Sequence, residues 1–155
     1  MIVQKVLNNS LVLSMDDDNR EVIVMGKGIG FNSRPGDAIA PEKIEKLFVT
    51  QALGARSGYL EALSAIPDEV IEMAAMIISR ANMQLASKVR EQIFFTLADH
   101  LTFAIERSRK GIAIQNRLLP EVRRFYPQQY RVASEAVTII RQQYGIELPE
   151  EEAGN

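Results

Sequence analysis

Cysteine is absent from this chain and histidine occurs once, and these two shortages exclude whole classes of function. Without a thiol there is no disulfide and no thiolate site. A single imidazole leaves neither a nucleophile–base pair nor a nitrogen-rich metal site. The acidic turn Asp16-Asp17-Asp18 lacks the alternating spacing and the distal glutamate of an EF-hand. We therefore expect a protein that is not an enzyme and that uses no cofactor or metal.

Long apolar runs are also missing. No stretch approaches the roughly 20 residues needed to cross a bilayer. Met1 leads directly into a strand pattern containing Gln4 and Lys5, so no signal peptide is expected. The expectation is a cytoplasmic protein with no membrane insertion. Its 155 residues, 46% of them apolar, suffice for one large or two small packed domains, and 18 basic against 20 acidic side chains is an ordinary balance.

The first part of the chain has the pattern of a small antiparallel sheet. Runs rich in β-forming residues occupy positions 2–7, 11–15 and 21–25. Asn8-Asn9-Ser10 separates the first two runs, and asparagine tolerates the left-handed conformation that tight hairpins require. Asp16 to Arg20 forms the next turn. In such a meander the turn at residues 8–10 and the segment after residue 25 lie at one end of the sheet, and the aspartates lie at the other.

The segment after the third run, residues 26–31, alternates three glycines with a cation, an aliphatic residue and an aromatic residue. Glycine permits close backbone approach. Lys27 supplies a positive charge, and Phe31 a flat face on which an unstacked base can lie. A dinucleotide-binding loop would need a helix to begin here, but the turn-rich residues 32–37 cannot start one. On spacing alone, a hairpin loop without function is the alternative.

Net charge gives little support to nucleic-acid binding. Residues 1–48 contain six basic side chains against seven acidic ones, whereas nucleic-acid binders are usually more basic. Only placement helps, because Lys27 is expected at the loop end of the sheet, where Lys5 and Arg34 can also lie. A symmetric dimer would double these cations. Pairing two such sheets face to face would also bury apolar surface that a 48-residue module cannot hide alone.

Near residue 50 the apolar period changes from two to 3.6 residues, which predicts helices. Gln51 to Gly58 is small and polar, the composition of a linker or a frayed helix start. Four helices are predicted after it, at about residues 67–85, 89–108, 119–127 and 130–144. Glu150 to Glu152 is expected to be a frayed acidic tail. The sequence thus predicts an α+β protein, with a small antiparallel β-sheet module at residues 1–55 followed by an all-helical bundle at residues 56–155.

The one histidine, His100, lies on the second of these helices. At 100° per residue one apolar stripe forms the expected core face: Ile93, Leu97, Leu101 and Ala104. His100 lies at the border of that face, on the same side as Arg107. One interpretation is a partly buried, hydrogen-bonded histidine. The other is a phosphoacceptor, since a neutral imidazole nitrogen can take a phosphoryl group and Arg107 can pair with the added charge. Asp99 points roughly 100° away and is expected to meet a neighbouring element.

Two sets of motifs resemble one known family. Lys5-Val6-Leu7-Asn8-Asn9, Val24 to Phe31 and Gly36-Asp37 look like the amino-terminal RNA-binding domain of the BglG/SacY/LicT family of bacterial transcriptional antiterminators. Leu97 to Arg107 is similar to the phosphoacceptor helix of the family's first PTS regulation domain, where PTS denotes the sugar phosphotransferase system. Both sets occur in the family's order and spacing. There are two departures, since Ser10 stands where the family usually has a third asparagine, and the sequence ends before a second acceptor histidine and a second regulation domain.

The resemblance implies an RNA-binding antiterminator. Its β module would act as a homodimer that stabilises an RNA hairpin overlapping an intrinsic terminator, so that polymerase reads through. A sugar-specific Enzyme II or HPr would phosphorylate His100, with Asp99 and Arg107 in supporting positions. The alternative is a dimerising, phospho-regulated scaffold without RNA output. The residues expected to bind RNA are Lys5, Asn8, Asn9, Ser10, Gly26, Lys27, Gly28, Phe31 and Arg34.

Overall fold

The computed structural model describes residues 1–50, 58–90, 92–112 and 114–155. It divides into two compact units, Met1–Ile71 and Glu72–Asn155. The first contains a four-stranded antiparallel sheet and the second is helical, which confirms the predicted α+β class. The boundary predicted between residues 55 and 56 and most of the predicted linker lie outside the described residues.

The sheet is a meander in which each strand pairs with the next along the chain. Its strands are β1 (Lys5–Val6), β2 (Leu11–Met15), β3 (Glu21–Met25) and β4 (Lys46–Val49). The predicted bounds of β2 and β3 are confirmed. β1 is shorter than its apolar run, although Ile2 still forms a bridge with Ala38. The sequence reasoning did not assign β4.

Both faces of this sheet are buried within the single chain. On one face Val12, Val22 and Val24 join a core cluster with Val3, Ile29 and Ile39. Successive strand residues point to opposite faces, so Leu11, Ile23 and Phe48 lie on the other face, and they are equally inaccessible. The sheet therefore has no open apolar face of the kind expected to drive dimerisation, and a homodimer stays a prediction.

Five α-helices follow in the described residues: α1 (Tyr59–Ser64), α2 (Asp68–Gln84), α3 (Ile93–Arg109), α4 (Leu119–Phe125) and α5 (Pro127–Tyr144). Proline at the first position opens α5, where its missing N–H has no intrahelical partner to lose. Gly145 closes the same helix in a left-handed conformation. α1 was not predicted. The division between the two units falls within α2. None of the helices described is both long and apolar enough to span a membrane.

The buried face of α3 differs in part from the predicted stripe. Leu101 and Ala104 are buried as predicted, but Ile93 is 44% exposed and Leu97 only half-buried. The buried positions of α3 are Phe94, Phe95, Ala98, Leu101, Ala104 and Ile105. The buried face of the helix includes Phe94 and Phe95 and excludes Ile93, because two large aromatic rings bury more apolar area than one isoleucine. His100 nevertheless keeps its predicted place at the border, with its side chain 37% exposed.

The acidic segment near the end of the sequence is packed, contrary to the expectation of a frayed tail. Glu150–Gly154 forms a short 3₁₀ helix in which Ala153 is buried. Glu150 pairs with Arg123 and accepts a hydrogen bond from the Tyr130 hydroxyl at 2.7 Å. A run of three carboxylates suggested full solvation, but specific partners on α3, α4 and α5 hold two of them, Glu150 and Glu152.

Candidate functional site

The turn between β1 and β2 is shaped by the side chain of its first asparagine. Asn8 Oδ1 accepts a hydrogen bond from the Ser10 N–H at 2.9 Å, and the backbone N–H of Asn8 bonds the Leu11 carbonyl at 3.1 Å. An asparagine side chain that bonds the backbone two residues on mimics a backbone turn. The left-handed asparagines expected here occur elsewhere, at Asn19 and Asn32.

The glycine-rich loop lies directly against this turn. Gly26 N–H donates to the Ser10 carbonyl at 3.0 Å, and Gly30 N–H to the Asn9 carbonyl at 2.9 Å. A Cβ on Gly30 would lie 2.0 Å from the Asn8 carbonyl oxygen, so a side chain cannot fit there. The strand register explains why the loop and the turn are adjacent, because β2 begins and β3 ends at the Leu11–Met25 pair. The predicted gathering of the two loops at one end of the sheet is therefore confirmed.

The glycine-rich loop contains one buried side chain, which packs in the core, and two exposed ones, which face solvent. Ile29 belongs to the sheet core and anchors the loop. Gly28 takes a left-handed backbone conformation (φ 68°), and the Phe31 N–H bonds its carbonyl at 3.1 Å. Lys27 is exposed and Phe31 is 64% exposed, although Phe31 is a large apolar ring. The loop thus presents a cation and an aromatic face to solvent.

Two of the predicted contact residues lie farther from this end. Lys5 pairs with Leu13 in the sheet, three residues before Asn8, which is about 10 Å along a strand. Arg34 begins a turn whose Asp37 carbonyl accepts the Val3 N–H, so it lies beside the start of the β1 segment. Both side chains are exposed. The structure does not bring them into the loop cluster, although a long ligand could still reach them.

The acidic turn lies at the opposite end of the sheet, after the Met15–Glu21 pair. Asp16 accepts hydrogen bonds from the backbone N–H of Arg20 at 2.8 Å and from its Nε at 2.8 Å. Those bonds, the backbone one first, lower the pKa of the Asp16 carboxyl. The turn is therefore self-contained and keeps its negative charge away from Lys27 and Phe31.

Sequence reasoning missed the groups that meet the asparagine turn from the helical side of the first unit. Asn8 Nδ2 donates to the carbonyls of Leu63 and Ile66 at 3.2 and 3.3 Å. The Asp68 carboxylate accepts from Ser10 Oγ at 2.9 Å and from Asn9 Nδ2 at 3.2 Å. These groups follow the turn by more than 50 residues, so no local pattern could have revealed them.

His100 takes part in a three-residue cluster within the second unit. Its Nε2 lies 3.3 Å from Glu152 Oε2, and Arg107 Nη2 lies 2.7 Å from Glu152 Oε1. The Glu152 side chain is only 4% exposed, whereas those of His100 and Arg107 are about one-third exposed. The predicted neighbourhood of His100 and Arg107 thus exists, but through a carboxylate that the sequence analysis had placed in solvent. Asp99 lies on the exposed side of α3.

Two family models match this chain. A CAT RNA binding domain covers residues 1–54, and a PRD domain covers residues 75–155. Over 154 residues, the chain is 40% identical to a beta-glucoside operon antiterminator of Dickeya chrysanthemi and 36% identical to transcription antiterminator LicT of Bacillus subtilis (strain 168). Each alignment covers 99% of this chain, but only 54% and 56% of those two relatives. The chain therefore spans about half the length of the relatives it matches.

A solved structure shares the architecture of both units. The crystal structure of GlcT CAT-PRDI aligns with a TM-score of 0.83 at 29% sequence identity. The alignment covers 99% of this chain and 91% of that one.

Gly30→Ala should destabilise the first unit by about 2–4 kcal/mol, because the added Cβ overlaps a backbone carbonyl and the loop must move away from the turn. Gly28→Ala is the matched control: it has open space around it and pays only for its left-handed backbone, about 1 kcal/mol. Urea unfolding of both variants measures the difference. Equal losses would show that the contact between loop and turn is not as close as described.

Arg107→Met should lower the free energy of unfolding by about 1–3 kcal/mol, because it leaves the buried Glu152 carboxylate without its closest cation while keeping most of the side-chain volume. Arg109→Met removes a neighbouring exposed cation from the same helix and should stay within about 0.5 kcal/mol of the parent chain. Denaturant titration of the three proteins tests the cluster. An unchanged free energy of unfolding in Arg107→Met would contradict the view that Arg107 stabilises the buried Glu152 carboxylate.

Proposed function

Because this chain belongs to the BglG/SacY/LicT family of transcription antiterminators, which joins a CAT RNA binding domain to a PRD domain, we propose that it binds an RNA hairpin overlapping an intrinsic terminator. Residues 1–55 provide the RNA-binding module, and residues 56–155 the regulatory domain. Stabilising the hairpin prevents the terminator from forming, so polymerase continues. The regulatory domain receives a phosphoryl group on His100.

The observation that carries the RNA proposal is the joined pair of loops at one end of the sheet. Phe31 offers an exposed ring on which an unpaired base can stack, and Lys27 offers a charge for the backbone. The amide of Asn9 and the hydroxyl of Ser10 supply hydrogen-bonding groups beside them. These groups sit on backbone held by two inter-loop hydrogen bonds, so they are arranged before RNA arrives.

The RNA-binding module has few basic side chains, which limits the electrostatic part of its affinity for RNA. Long-range attraction to phosphates is weak for a module with six basic and seven acidic side chains. Stacking and hydrogen bonding therefore supply much of the affinity. We propose a homodimer on the hairpin, since a two-fold arrangement presents two copies of Lys27 and Phe31 to one RNA.

For the regulatory domain, the supporting observation is the partial exposure of His100 beside Arg107. The imidazole is accessible to an incoming phosphoryl donor, and the guanidinium is close enough to pair with the new charge. The donors proposed are HPr or a sugar-specific Enzyme II. A phosphoryl group on Nε2 would stand where the Glu152 carboxylate now lies, so that contact must open when the group is transferred.

Phe31→Ala should weaken binding of the 155-residue chain to RNA by about 1–3 kcal/mol through lost stacking. Lys27→Ala should also weaken binding and should reduce the salt slope by about one. The probe is a hairpin recovered from a randomised RNA hairpin pool by selection on the parent chain. Filter binding at several salt concentrations gives both quantities, and the saturation point should correspond to two chains per hairpin.

The matched controls are Phe125→Ala and Lys110→Ala, which remove an exposed phenylalanine and an exposed lysine from the helical unit. Both should bind like the parent chain. If Phe31→Ala and Lys27→Ala bind as well as these controls, the RNA surface is not at the joined loops. A hairpin that binds but gives no read-through in transcription in vitro would favour the scaffold alternative.

Incubation with phosphoenolpyruvate, Enzyme I, HPr and a sugar-specific Enzyme II should attach an acid-labile phosphoryl group to the chain. His100 is the only histidine, so a phosphohistidine, which is acid-labile and base-stable, can have no other site. His100→Gln should remove the label, and its amide nitrogen keeps a donor within reach of Glu152. Label that persists in His100→Gln, or none with any Enzyme II tried, would leave His100 with a structural role only.

A further inference from the structure

Asp68 occupies the donors of the proposed RNA-binding turn. One carboxylate oxygen accepts from Ser10 Oγ at 2.9 Å and the other from Asn9 Nδ2 at 3.2 Å. Ser10 is only 8% exposed, so little of its hydroxyl is open to a ligand. The Ser10 hydroxyl and one of the two amide N–H groups of Asn9 are thus used by one anion of the same chain.

The third residue of the turn is held by the same stretch of chain. Asn8 Nδ2 donates to the carbonyls of Leu63 and Ile66, while Asn8 Oδ1 is used inside the turn by the Ser10 N–H. Leu63 and Ile66 are themselves buried. Residues 63–68 therefore engage every side chain of the turn, through two carbonyls and one carboxylate. By contrast, Lys27 and Phe31 on the adjoining loop are exposed.

We infer that residues 63–68 form an autoinhibitory contact in which the Asp68 carboxylate stands in for an RNA acceptor. The inference rests on the proposed RNA-binding function. RNA offers phosphate, carbonyl and 2′-hydroxyl oxygens, and each would need the donors that Asp68 now accepts from. A carboxylate at this place also repels an approaching phosphate. RNA can stack on Phe31 first, but the Ser10 hydroxyl and the bonded Asn9 N–H become available only when Asp68 leaves.

The position of Asp68 in the fold makes this contact a means of regulation. Asp68 is the first residue of α2, a continuous helix of 17 residues that ends at Gln84. A shift or rotation of such a helix moves its first residue with it, so a change that displaces α2 also withdraws the carboxylate from the turn. The apparent association constant for RNA then equals the intrinsic constant multiplied by the fraction of chains in which the turn is open.

Replacement of Asp68 tests the inference in the full 155-residue chain. Asp68→Asn loses the charge and one acceptor, and Asp68→Ala loses both hydrogen bonds. Two net hydrogen bonds of ordinary strength correspond to about a 5- to 150-fold change in an equilibrium constant. Asp68→Ala should therefore bind an RNA hairpin about 5- to 150-fold more tightly than the parent chain, and Asp68→Asn, which keeps one acceptor, should show a smaller gain. The hairpin is selected from a randomised pool in parallel on the parent and on Asp68→Asn.

Glu69→Gln is the matched control, because it removes one negative charge from the adjacent, exposed position of the same helical turn. Long-range electrostatics predicts the same gain for residues 68 and 69, whereas the autoinhibitory contact predicts a gain for Asp68 alone. Thermal unfolding checks that each variant is folded. In the parent chain, hydrogen exchange at residues 63–70 should also accelerate when the hairpin binds, which requires no substitution.

The outcomes separate the two proposals. Tighter binding by the Asp68 variants alone, with faster exchange at residues 63–70, supports the inference. If the Asp68 variants match Glu69→Gln or bind more weakly than the parent, or if exchange is unchanged on binding, the inference is overturned and the RNA-binding function stands. If no hairpin is enriched on either protein, the proposed function is overturned and the inference with it.

Discussion

The backbone contact between residues 26–30 and the turn at residues 8–10 is the constraint on which the candidate RNA surface depends. Two hydrogen bonds cross between the segments, and at Gly30 the approach leaves no room for a Cβ. The contact fixes where Phe31 and Lys27 stand relative to Asn9 and Ser10. It explains the glycine at position 30, whereas Gly26 approaches the Lys43 carbonyl and Gly28, with open space around it, supplies a left-handed backbone conformation.

The two units share a physical feature. In each, a carboxylate contacts the side chains that are proposed to bind RNA or to accept a phosphoryl group. Asp68 accepts from the turn in the first unit, and Glu152 lies between His100 and Arg107 in the second. Under the functions proposed above, each carboxylate occupies the place of a phosphate-bearing partner, RNA in one case and a phosphoryl group in the other. An internal anion keeps polar side chains satisfied while the partner is absent, since unpaired polar groups are costly near a protein interior. It also sets a threshold that the partner must overcome.

The sequence and the structure disagree where a residue's neighbour lies far along the chain. β4 was not assigned, because Lys46–Val49 is a short run beyond a long loop and is held by pairing with β3. The alternating pattern identified the apolar faces of the sheet but not the fact that one chain covers both. Likewise, the acidic run at residues 150–152 has the composition of a solvated tail, yet basic and hydroxyl partners on three helices hold it in place.

The sequence by itself determined the α+β class, the bounds of β2 and β3, the four longer helices, the meeting of the two loops at one end of the sheet and the border position of His100. The period of apolar residues, the residue types in turns and the alternation along strands are local patterns. Each can be recognised within a short window of sequence. Only the tertiary structure decided that Asp68 and Glu152 are the partners of those sites, that Lys5 and Arg34 lie away from the loops, and that Ile93 faces solvent. These outcomes depend on pairs separated by tens of residues and on which side chains fill a shared core, and no local pattern specifies either.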